Sequence, residues 1–254
     1  NIWSPFPEEA NRRLATPLVA LHFAPTEGAR DALLSEAVPQ ETISVTGNTV
    51  IDALRIEVAT QAGDAALRAR IDEELRLLVG ARWAEGRIVL ITGHRRENFG
   101  HGIEQICRAI ATLAQAFPDY LFVYPVHLNP NVLVHVNQLL GHLANVRLIP
   151  PQGYRNFVAL MARCRLVLTD SGGVQEETTL LRVPCLTLRP NTERPITVTS
   201  GSNRLITPSE LASAVLKACD GGPYAGELPP LWDGQAGPRI ARVITAWLDQ
   251  EGRR

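Results

Sequence analysis

The sequence has almost no imbalance of charge: 25 basic and 26 acidic residues give a formal net charge of −1 at pH 7. A chain without excess positive charge lacks the broad basic field that attracts the phosphate backbone of nucleic acids, so we expect no nucleic-acid partner. Lysine is nearly absent, because Lys217 is the one lysine in the chain. Genomic composition bias is the simpler explanation for this scarcity, and no function follows from it.

Long apolar runs and closely spaced cysteines are also missing. No apolar run approaches the roughly 18 residues of a membrane-spanning helix, so we expect no membrane association. The four cysteines are too far apart for the CxxC pairs of metal and redox sites, and we interpret them as reduced core thiols of a cytoplasmic protein. These cysteines are Cys107, Cys164, Cys185 and Cys219.

Methionine is equally scarce. The chain has one, Met161, and its first residue is Asn1, within the proline-rich phrase NIWSPFPEE. We therefore expect that Asn1 is not a translation start and that a segment precedes it. Because 45% of the residues are apolar, a disordered chain is excluded, and 254 residues are enough for one large or two ordinary cores.

After residue 81, apolar segments of strand length alternate with helical patterns, as a parallel sheet with crossover helices requires. A stripe of apolar residues at helical spacing between 103 and 117 predicts the first of these helices. A capping phrase, TPSE, predicts another helix start at Thr207. Six segments are predicted strands: Arg87–Thr92, Leu121–Val126, Val146–Ile149, Leu166–Thr169, Cys185–Leu188 and Arg204–Ile206.

Before residue 81 the strand pattern is thinner, with short apolar segments at 21–24 and 43–46. Two strands do not close a doubly wound sheet, so this part resembles the second half of a domain whose first half is absent. A last amphipathic helix follows the breaker run 233–238. We expect three parts: an incomplete domain over 1–80, a complete α/β domain over 81–237, and a final helix over 238–254.

The sharpest local signal is the phrase LTDSGGVQEE, residues 168–177. A buried strand leads into two glycines that allow a tight turn, and a helix is predicted to begin near Val174. Ligands bind at the carboxyl edge of such sheets, and free amides at a helix start favour an anion such as a diphosphate. Glu177, one turn further on, is a candidate acceptor for a ribose diol, whereas a turn without any ligand is the alternative. The candidate amide donors are those of Ser171, Gly172 and Gly173.

Cationic side chains follow the first two strands of the same domain. His94, Arg95 and Arg96 lie in TGHRRENFG, directly after the first strand, where they could neutralise a leaving phosphate. His127, in YPVHLNPN, ends the next strand and is the weaker candidate. A histidine in a loop is more often a structural hydrogen-bonding group, which is the alternative for both.

Two further phrases carry charged candidates. Arg194, in NTERP, could make charge-assisted hydrogen bonds to phosphate, and a surface ion pair with Glu193 is the alternative. Glu8 and Glu9, in the proline-rich loop SPFPEEANR, could supply the carboxylate that general acid–base chemistry needs. Solvated acidic residues at a helix start are the alternative for this pair.

Eight phrases, taken in their order along the chain, resemble those of the non-hydrolysing UDP-N-acetylglucosamine 2-epimerases, and the resemblance runs from residue 1 to about 250. The phrases are SPFPEEANR, HFAPTE, VTGNTVIDAL, TGHRRENFG, YPVHLNPNV, LTDSGGVQEE, NTERP and DGQA. The resemblance implies an α/β fold with two Rossmann-like domains of the glycosyltransferase-B type, the first incomplete in this chain. It also implies that the final helix crosses back toward the first domain. The implied activity interconverts UDP-GlcNAc and UDP-ManNAc by elimination and re-addition of UDP, through a 2-acetamidoglucal, with neither NAD nor a metal.

The resemblance also assigns roles to matching positions. His94 matches the leaving-group histidine, and Glu8 matches a carboxylate implicated in acid–base steps. Arg95 and His127 are candidates for a second site at which the substrate activates bacterial members. The implied substrate-binding residues are Gln152 and Phe157 for uracil, Ser171, Gly172 and Gly173 for the diphosphate, Glu177 for the ribose and Arg194 for the substrate.

The chain also departs from the family pattern. The strand–helix set that opens the family's first domain, with its basic motif and a further catalytic Glu, is absent, so we expect the 254-residue chain to be inactive while its parent is active. Ile196 stands where an acid is usual. The implied partners are UDP-GlcNAc or UDP and a second copy in a homodimer. A non-catalytic UDP-sugar-binding module and a hydrolysing epimerase or glycosyltransferase relative are the alternatives.

Overall fold

A computed structural model of the chain describes residues 2–3, 6–93, 101–126, 130–220, 224 and 226–251. The chain forms two compact units, Asn1–Ala53 with Pro230–Arg254, and Leu54–Pro229. The three parts expected from the sequence, with bounds at 80/81 and 237/238, stay a prediction.

The second unit is built on a six-stranded sheet in the order β5-β4-β3-β6-β7-β8, in which all neighbouring strands are parallel. Each predicted strand is present within one residue at either end. Because parallel strands are covered on both faces, they read as nearly continuous apolar runs, which is why the sequence pattern found them. The strands are β3 (Ile88–Thr92), β4 (Leu121–Pro125), β5 (Val146–Ile149), β6 (Leu166–Thr169), β7 (Cys185–Thr187) and β8 (Asn203–Leu205).

Helices connect these strands and cover both faces of the sheet. Alternate residues of β3 point to opposite faces, so Val89 belongs to one buried cluster and Leu90 to the other. The helices are α3 (Thr49–Gly63), which crosses the division between the units, α4 (Ala65–Val79), α5 (His101–Ala116), α6 (Pro130–Leu140), α7 (Tyr154–Arg163), α8 (Gly172–Leu181), α9 (Pro195–Thr199) and α10 (Leu211–Asp220).

The first unit contains a two-stranded parallel sheet. Its strands are β1 (His22–Ala24) and β2 (Ile43–Val45), and they coincide with the two segments predicted before residue 81. Its helices are α1 (Glu8–Ala15), α2 (Glu27–Ser35) and α11 (Ala236–Glu251).

Helix α11 begins at Ala236, inside the run 233–238 that was predicted to break the chain, so that prediction is wrong at this end. Pro238 is the third helical residue, and a proline is tolerated in the first turn because its missing N–H would have no intrahelical partner. The carboxylate of Asp52 accepts hydrogen bonds from the amides of Ala236 (3.2 Å) and Gly237 (2.7 Å). This distant carboxylate therefore caps the helix, and the local sequence carries no sign of it.

Several local predictions are confirmed. Thr207 and Glu210 form the predicted reciprocal capping box, and all four cysteines are buried and free of disulfide bonds. Within the described residues, the helices are too short or too polar to cross a membrane.

Candidate functional site

A cleft of about 290 Å³ lies at the carboxyl edge of the six-stranded sheet. Parallel strands end on the same edge, so the segments that follow β3, β4, β5 and β6 meet there. Three residues predicted to bind substrate line this cleft, and five others were not predicted. The lining residues are Thr92, Gly93, Pro125, Pro151, Gln152, Phe157, Ser171 and Val174.

Helix α8 starts at Gly172, two residues before the predicted start. Neither Gly172 nor Gly173 has a positive φ, so the predicted need for glycine in a tight turn is wrong. A side chain at Gly173 would meet open space, with no described atom within 4 Å of its Cβ. Glycine here leaves the backbone of the first helical turn open to close approach by a ligand.

The amides at the start of α8 differ in what they bind. The Ser171 amide donates to Thr169 Oγ1 at 3.0 Å, so it is not the free donor that the sequence predicted. Thr169 Oγ1 also shares a 2.6 Å hydrogen bond with Thr92 Oγ1, which ties the ends of β3 and β6 together. The first amides of a helix have no intrahelical acceptor, and the side chain of the N-cap residue, Ser171, makes no capping hydrogen bond. The amides of Gly172 and Gly173 therefore remain candidate anion donors, and Ser171 can contribute its hydroxyl.

Glu177 lies one turn into α8 and is 8% exposed. Burial raises the pKa of its carboxyl group to about 7, and the neighbouring Glu176 adds to the shift. A carboxyl group with this pKa is partly protonated at neutral pH. It can therefore both donate and accept hydrogen bonds, which suits the two hydroxyls of a diol.

Gln152 and Phe157 flank the start of α7 and line the cleft together with Ser171. Gln152 Nε2 donates to the carbonyl of Pro150 at 2.7 Å, which holds the loop after β5 against its own backbone. Phe157 packs against the buried cluster on that face of the sheet. In such a pair, the aromatic ring can stack on a planar base, and the amide side chain can form hydrogen bonds with the polar edge of that base.

Arg194 and Glu193 have different ion-pair partners. Arg194 Nε lies 3.3 Å from Oε2 of Glu176 in α8, and Arg189 Nη1 lies 2.6 Å from Oε2 of Glu193. The alternative interpretation from the sequence, a surface ion pair between Arg194 and Glu193, is therefore wrong. The pairing with Glu176 brings Arg194 to the helix that begins at the cleft.

Glu8 and Glu9 occupy the first turn of α1 rather than the predicted loop. Glu8 is exposed. The guanidinium of Arg12 binds both carboxylate oxygens of Glu9 at 2.7 and 2.8 Å and, with Arg13, lowers the pKa of Glu9 to about 2. Glu9 is therefore the carboxylate held in place, and it is ionised at any ordinary pH.

The remaining candidates, His94, Arg95 and His127, lie outside the described residues, as does Arg96. Among the residues that are described, no group of three or more His, Cys, Asp or Glu side chains is arranged to hold a metal ion.

Sequence reasoning missed the hydroxyls of Thr92 and Thr169, although both end predicted strands and position at a strand end was the available signal. It also missed Gln175, a fully buried member of the phrase at 168–177.

Comparisons with known proteins agree with this geometry. Residues 1–245 match the family model described as UDP-N-acetylglucosamine 2-epimerase. A UDP-N-acetylglucosamine 2-epimerase of Salmonella typhimurium is 46% identical over 256 residues, which cover 97% of this chain and 66% of that protein. The chain thus spans about two thirds of the length of this relative.

Solved structures show the same similarity. The crystal structure of UDP-GlcNAc 2-epimerase from Neisseria meningitidis bound to UDP-GlcNAc superposes with a TM-score of 0.88 at 37% identity, over 97% of this chain and 67% of that one. The Methanocaldococcus jannaschii enzyme in complex with UDP-GlcNAc and UDP gives a TM-score of 0.80 at 32% identity, over 94% and 65% of the two chains.

These neighbours confirm the expected fold class, α/β with Rossmann-like domains of the glycosyltransferase-B type, of which this chain carries about two thirds. With a family match over nearly the whole chain and a cleft whose lining includes predicted substrate-binding residues, the chain belongs to the UDP-N-acetylglucosamine 2-epimerase family.

Proposed function

We propose that the cleft binds the UDP part of a nucleotide sugar, and that the protein to which this chain belongs interconverts UDP-GlcNAc and UDP-ManNAc. The observation that carries the proposal is the position of the α8 N-terminus at a cleft lined by Gln152, Phe157 and Ser171. A helix start favours a diphosphate, and an aromatic ring with a nearby amide suits a uracil base. We assign Glu177, further along the same helix, to the ribose.

In the proposed reaction the bond between the anomeric carbon and UDP breaks, and its electron pair leaves with UDP. A base removes the proton at C2, which gives 2-acetamidoglucal. UDP then adds back at C1 while C2 receives a proton on the opposite face. UDP returns instead of water, so the proposed enzyme is of the non-hydrolysing type, and each elimination is balanced by one addition.

The residues of this chain would act mainly on the leaving group. Negative charge develops on UDP as the bond breaks, and fixed donors aimed at that charge each commonly contribute about 10²- to 10³-fold in rate. We assign the amides of Gly172 and Gly173 to the diphosphate, with His94 and Arg194 as cationic partners. Glu8 is the proposed carboxylate for a proton-transfer step on the sugar side.

The experiment that tests this function uses the whole protein with UDP-GlcNAc in D₂O. Because the C2 proton exchanges with solvent during elimination, we expect UDP-ManNAc that carries deuterium at C2, detected by NMR and mass spectrometry. Free ManNAc with UDP would instead assign the protein to the hydrolysing type. UDP binding without any turnover would favour a binding module.

For the 254-residue chain alone we propose UDP binding without epimerisation. Removal and return of a proton on opposite faces of C2 calls for two proton-transfer groups, and this chain offers Glu8 for one of them. We also propose a homodimer, which analytical ultracentrifugation would test. A cytoplasmic location is proposed on the basis of the four free, buried thiols.

Arg95 and His127 remain proposed contacts of a second, activating substrate site. In the whole protein, Arg95→Ala is expected to reduce activation by UDP-GlcNAc while UDP still binds the cleft. We expect initial rates to depend sigmoidally on the UDP-GlcNAc concentration in the wild type and hyperbolically in Arg95→Ala.

A further inference from the structure

A buried polar network lies between the α8 helix start and the segment that carries Arg194. Its centre is Gln175, which is completely buried in α8. Its Oε1 accepts hydrogen bonds from Thr192 Oγ1 at 2.7 Å and from Asn203 Nδ2 at 2.9 Å. Its Nε2 donates to the carbonyl of Ser171 at 3.2 Å. One side chain therefore bridges two parts of the candidate site.

The bond to Ser171 acts on the anion-binding turn. The carbonyl of Ser171 and the amide of Gly172 belong to one trans peptide, so they point in opposite directions. As the N-cap carbonyl, the Ser171 carbonyl accepts the first hydrogen bond of the helix, and the Gln175 side chain adds a second donor, which further holds the Gly172 amide in the opposite direction, out of the helix start. The amide keeps this orientation before any anion arrives, so binding requires less reorganisation.

The other end of Gln175 acts on the segment that carries Arg194. Thr192 Oγ1, which donates to Gln175, also accepts from the Arg194 amide at 2.9 Å. Thr197 Oγ1 donates to the Arg194 carbonyl at 2.8 Å and accepts from Asn203 Nδ2, at 3.1 Å, the same group that binds Gln175. Both backbone groups of Arg194 are thus tied to hydroxyls that belong to this network.

We propose that Gln175 is a positioning residue that couples the diphosphate-binding amide of Gly172 to the backbone of Arg194, so that both residues bind the same diphosphate. The inference rests on the proposed function, since it assumes a diphosphate at the start of α8. A glutamine suits this role because its amide donates on one side and accepts on the other, and it adds no negative charge beside the anion site.

The test compares UDP with uridine, because uridine has the same base and ribose but no diphosphate. Calorimetric titrations use the 254-residue chain and its Gln175→Met variant, which keeps the volume and removes both hydrogen-bonding ends. We expect the affinity for UDP to fall by 10-fold or more, while the affinity for uridine stays within about twofold. A Gln175→Glu variant keeps the acceptor but places an anionic oxygen against the Ser171 carbonyl, and a similar selective loss is expected.

Thr178→Val is the matched control. Thr178 is as buried as Gln175 and lies in the same helix, but its hydroxyl donates to the carbonyls of Val174 and Gln175 and interacts with Cys185, rather than with the side chain of Gln175. This variant is expected to keep the ratio of UDP to uridine affinity. If Gln175→Met does not fold, Thr192→Val replaces it. Thr192 is half-buried, and this change removes the hydroxyl that links Gln175 to the Arg194 amide, so the affinity for UDP should fall while that for uridine does not.

The outcomes separate the two claims. A wild-type chain that binds neither UDP nor uridine contradicts the proposed function, and the inference falls with it. A wild-type chain that binds UDP more tightly than uridine, with the same affinity ratio in Gln175→Met, overturns the inference and leaves the function intact.

Discussion

The guanidinium of Arg194 pairs with the carboxylate of Glu176, and their Nε and Oε2 atoms are 3.3 Å apart. The Glu176 side chain is 4% exposed and that of Arg194 is 41% exposed. Burial disfavours the ionised form of a carboxyl group, and the positive charge of Arg194 offsets this effect at Glu176. Glu176 also lies next to Glu177, whose carboxyl has a pKa raised in part by this neighbour. Arg194 therefore has a structural role in addition to its proposed contact with substrate.

Double substitution separates these two roles. Arg194→Ala should lower the free energy of unfolding by about 1 to 2 kcal/mol, a value below that for a fully buried pair because the arginine is partly exposed. Adding Glu176→Gln should restore part of this stability, since it removes the buried negative charge that Arg194 faces. The affinity of the whole protein for UDP-GlcNAc should stay low in the double variant. Full recovery of that affinity would mean that Arg194 acts through Glu176 alone.

The raised pKa of Glu177 predicts a dependence of stability on pH. Between pH 4.5, where the unfolded carboxyl titrates, and about 7, the folded chain retains a proton that the unfolded chain has lost. Stability should therefore fall as pH rises through this window, by at most about 1.4 kcal/mol per pH unit from this one group. Urea unfolding of the wild type and of Glu177→Gln measures the effect, and the difference between the two should flatten above pH 7. Parallel curves for both proteins would show that Glu177 has an ordinary pKa.

Alanine at Gly173 should raise stability and weaken ligand binding. Gly173 has a helical backbone and open space around its Cβ position, so the substitution should add about 0.5 to 1 kcal/mol of stability. The same methyl group would stand where the diphosphate approaches the first turn of α8, and UDP affinity should fall at least 10-fold. Thermal unfolding and UDP titration check the two effects.

Gly63 provides the matched control for this substitution. It ends helix α3, and its Cβ position likewise has no described atom within 4 Å. Gly63→Ala should raise stability in the same way without changing UDP affinity. Equal loss of affinity in both variants would contradict a specific role for the α8 helix start.

Loss of the Asp52 carboxylate should destabilise α11. Its two oxygens accept the Ala236 and Gly237 amides, so Asp52→Ala leaves both without their acceptor and should lower the free energy of unfolding by about 1 to 2 kcal/mol. Hydrogen exchange should show faster opening of the first turn of α11. Glu41→Ala removes an acid from an exposed position of the same unit, and it should change stability by less than about 0.5 kcal/mol.

The sheet could be predicted from the sequence because its strands are buried on both faces. In β3, four consecutive residues are buried, and the apolar run Ile88–Ile91 records this directly. The position of the cleft followed from the same pattern, since parallel strands end on one edge. The helix after Ser171 was predicted two residues late, because Gly172 and Gly173 were interpreted as a turn although both adopt helical backbone.

The contacts within the site depend on pairings that the local sequence does not contain. Gln175 and Asn203 are 28 residues apart and meet only because β7 and β8 pair beside α8. Asp52 and Gly237 are 185 residues apart. The partner of Arg194 was predicted wrongly for a related reason. Glu193 is the neighbour of Arg194 in the chain, but in the fold Arg194 pairs with Glu176 and Glu193 pairs with Arg189.

The central claim is that the cleft at the start of α8 binds the diphosphate of UDP, and calorimetric titration of UDP into the chain and its Ser171→Asp variant tests it most directly. Ser171 lines the cleft and is the N-cap of α8, so the new carboxylate would stand against the diphosphate and cap the helix amides itself. We predict one UDP per wild-type chain and no measurable binding to a folded Ser171→Asp variant. Unchanged UDP affinity in that variant would contradict the account.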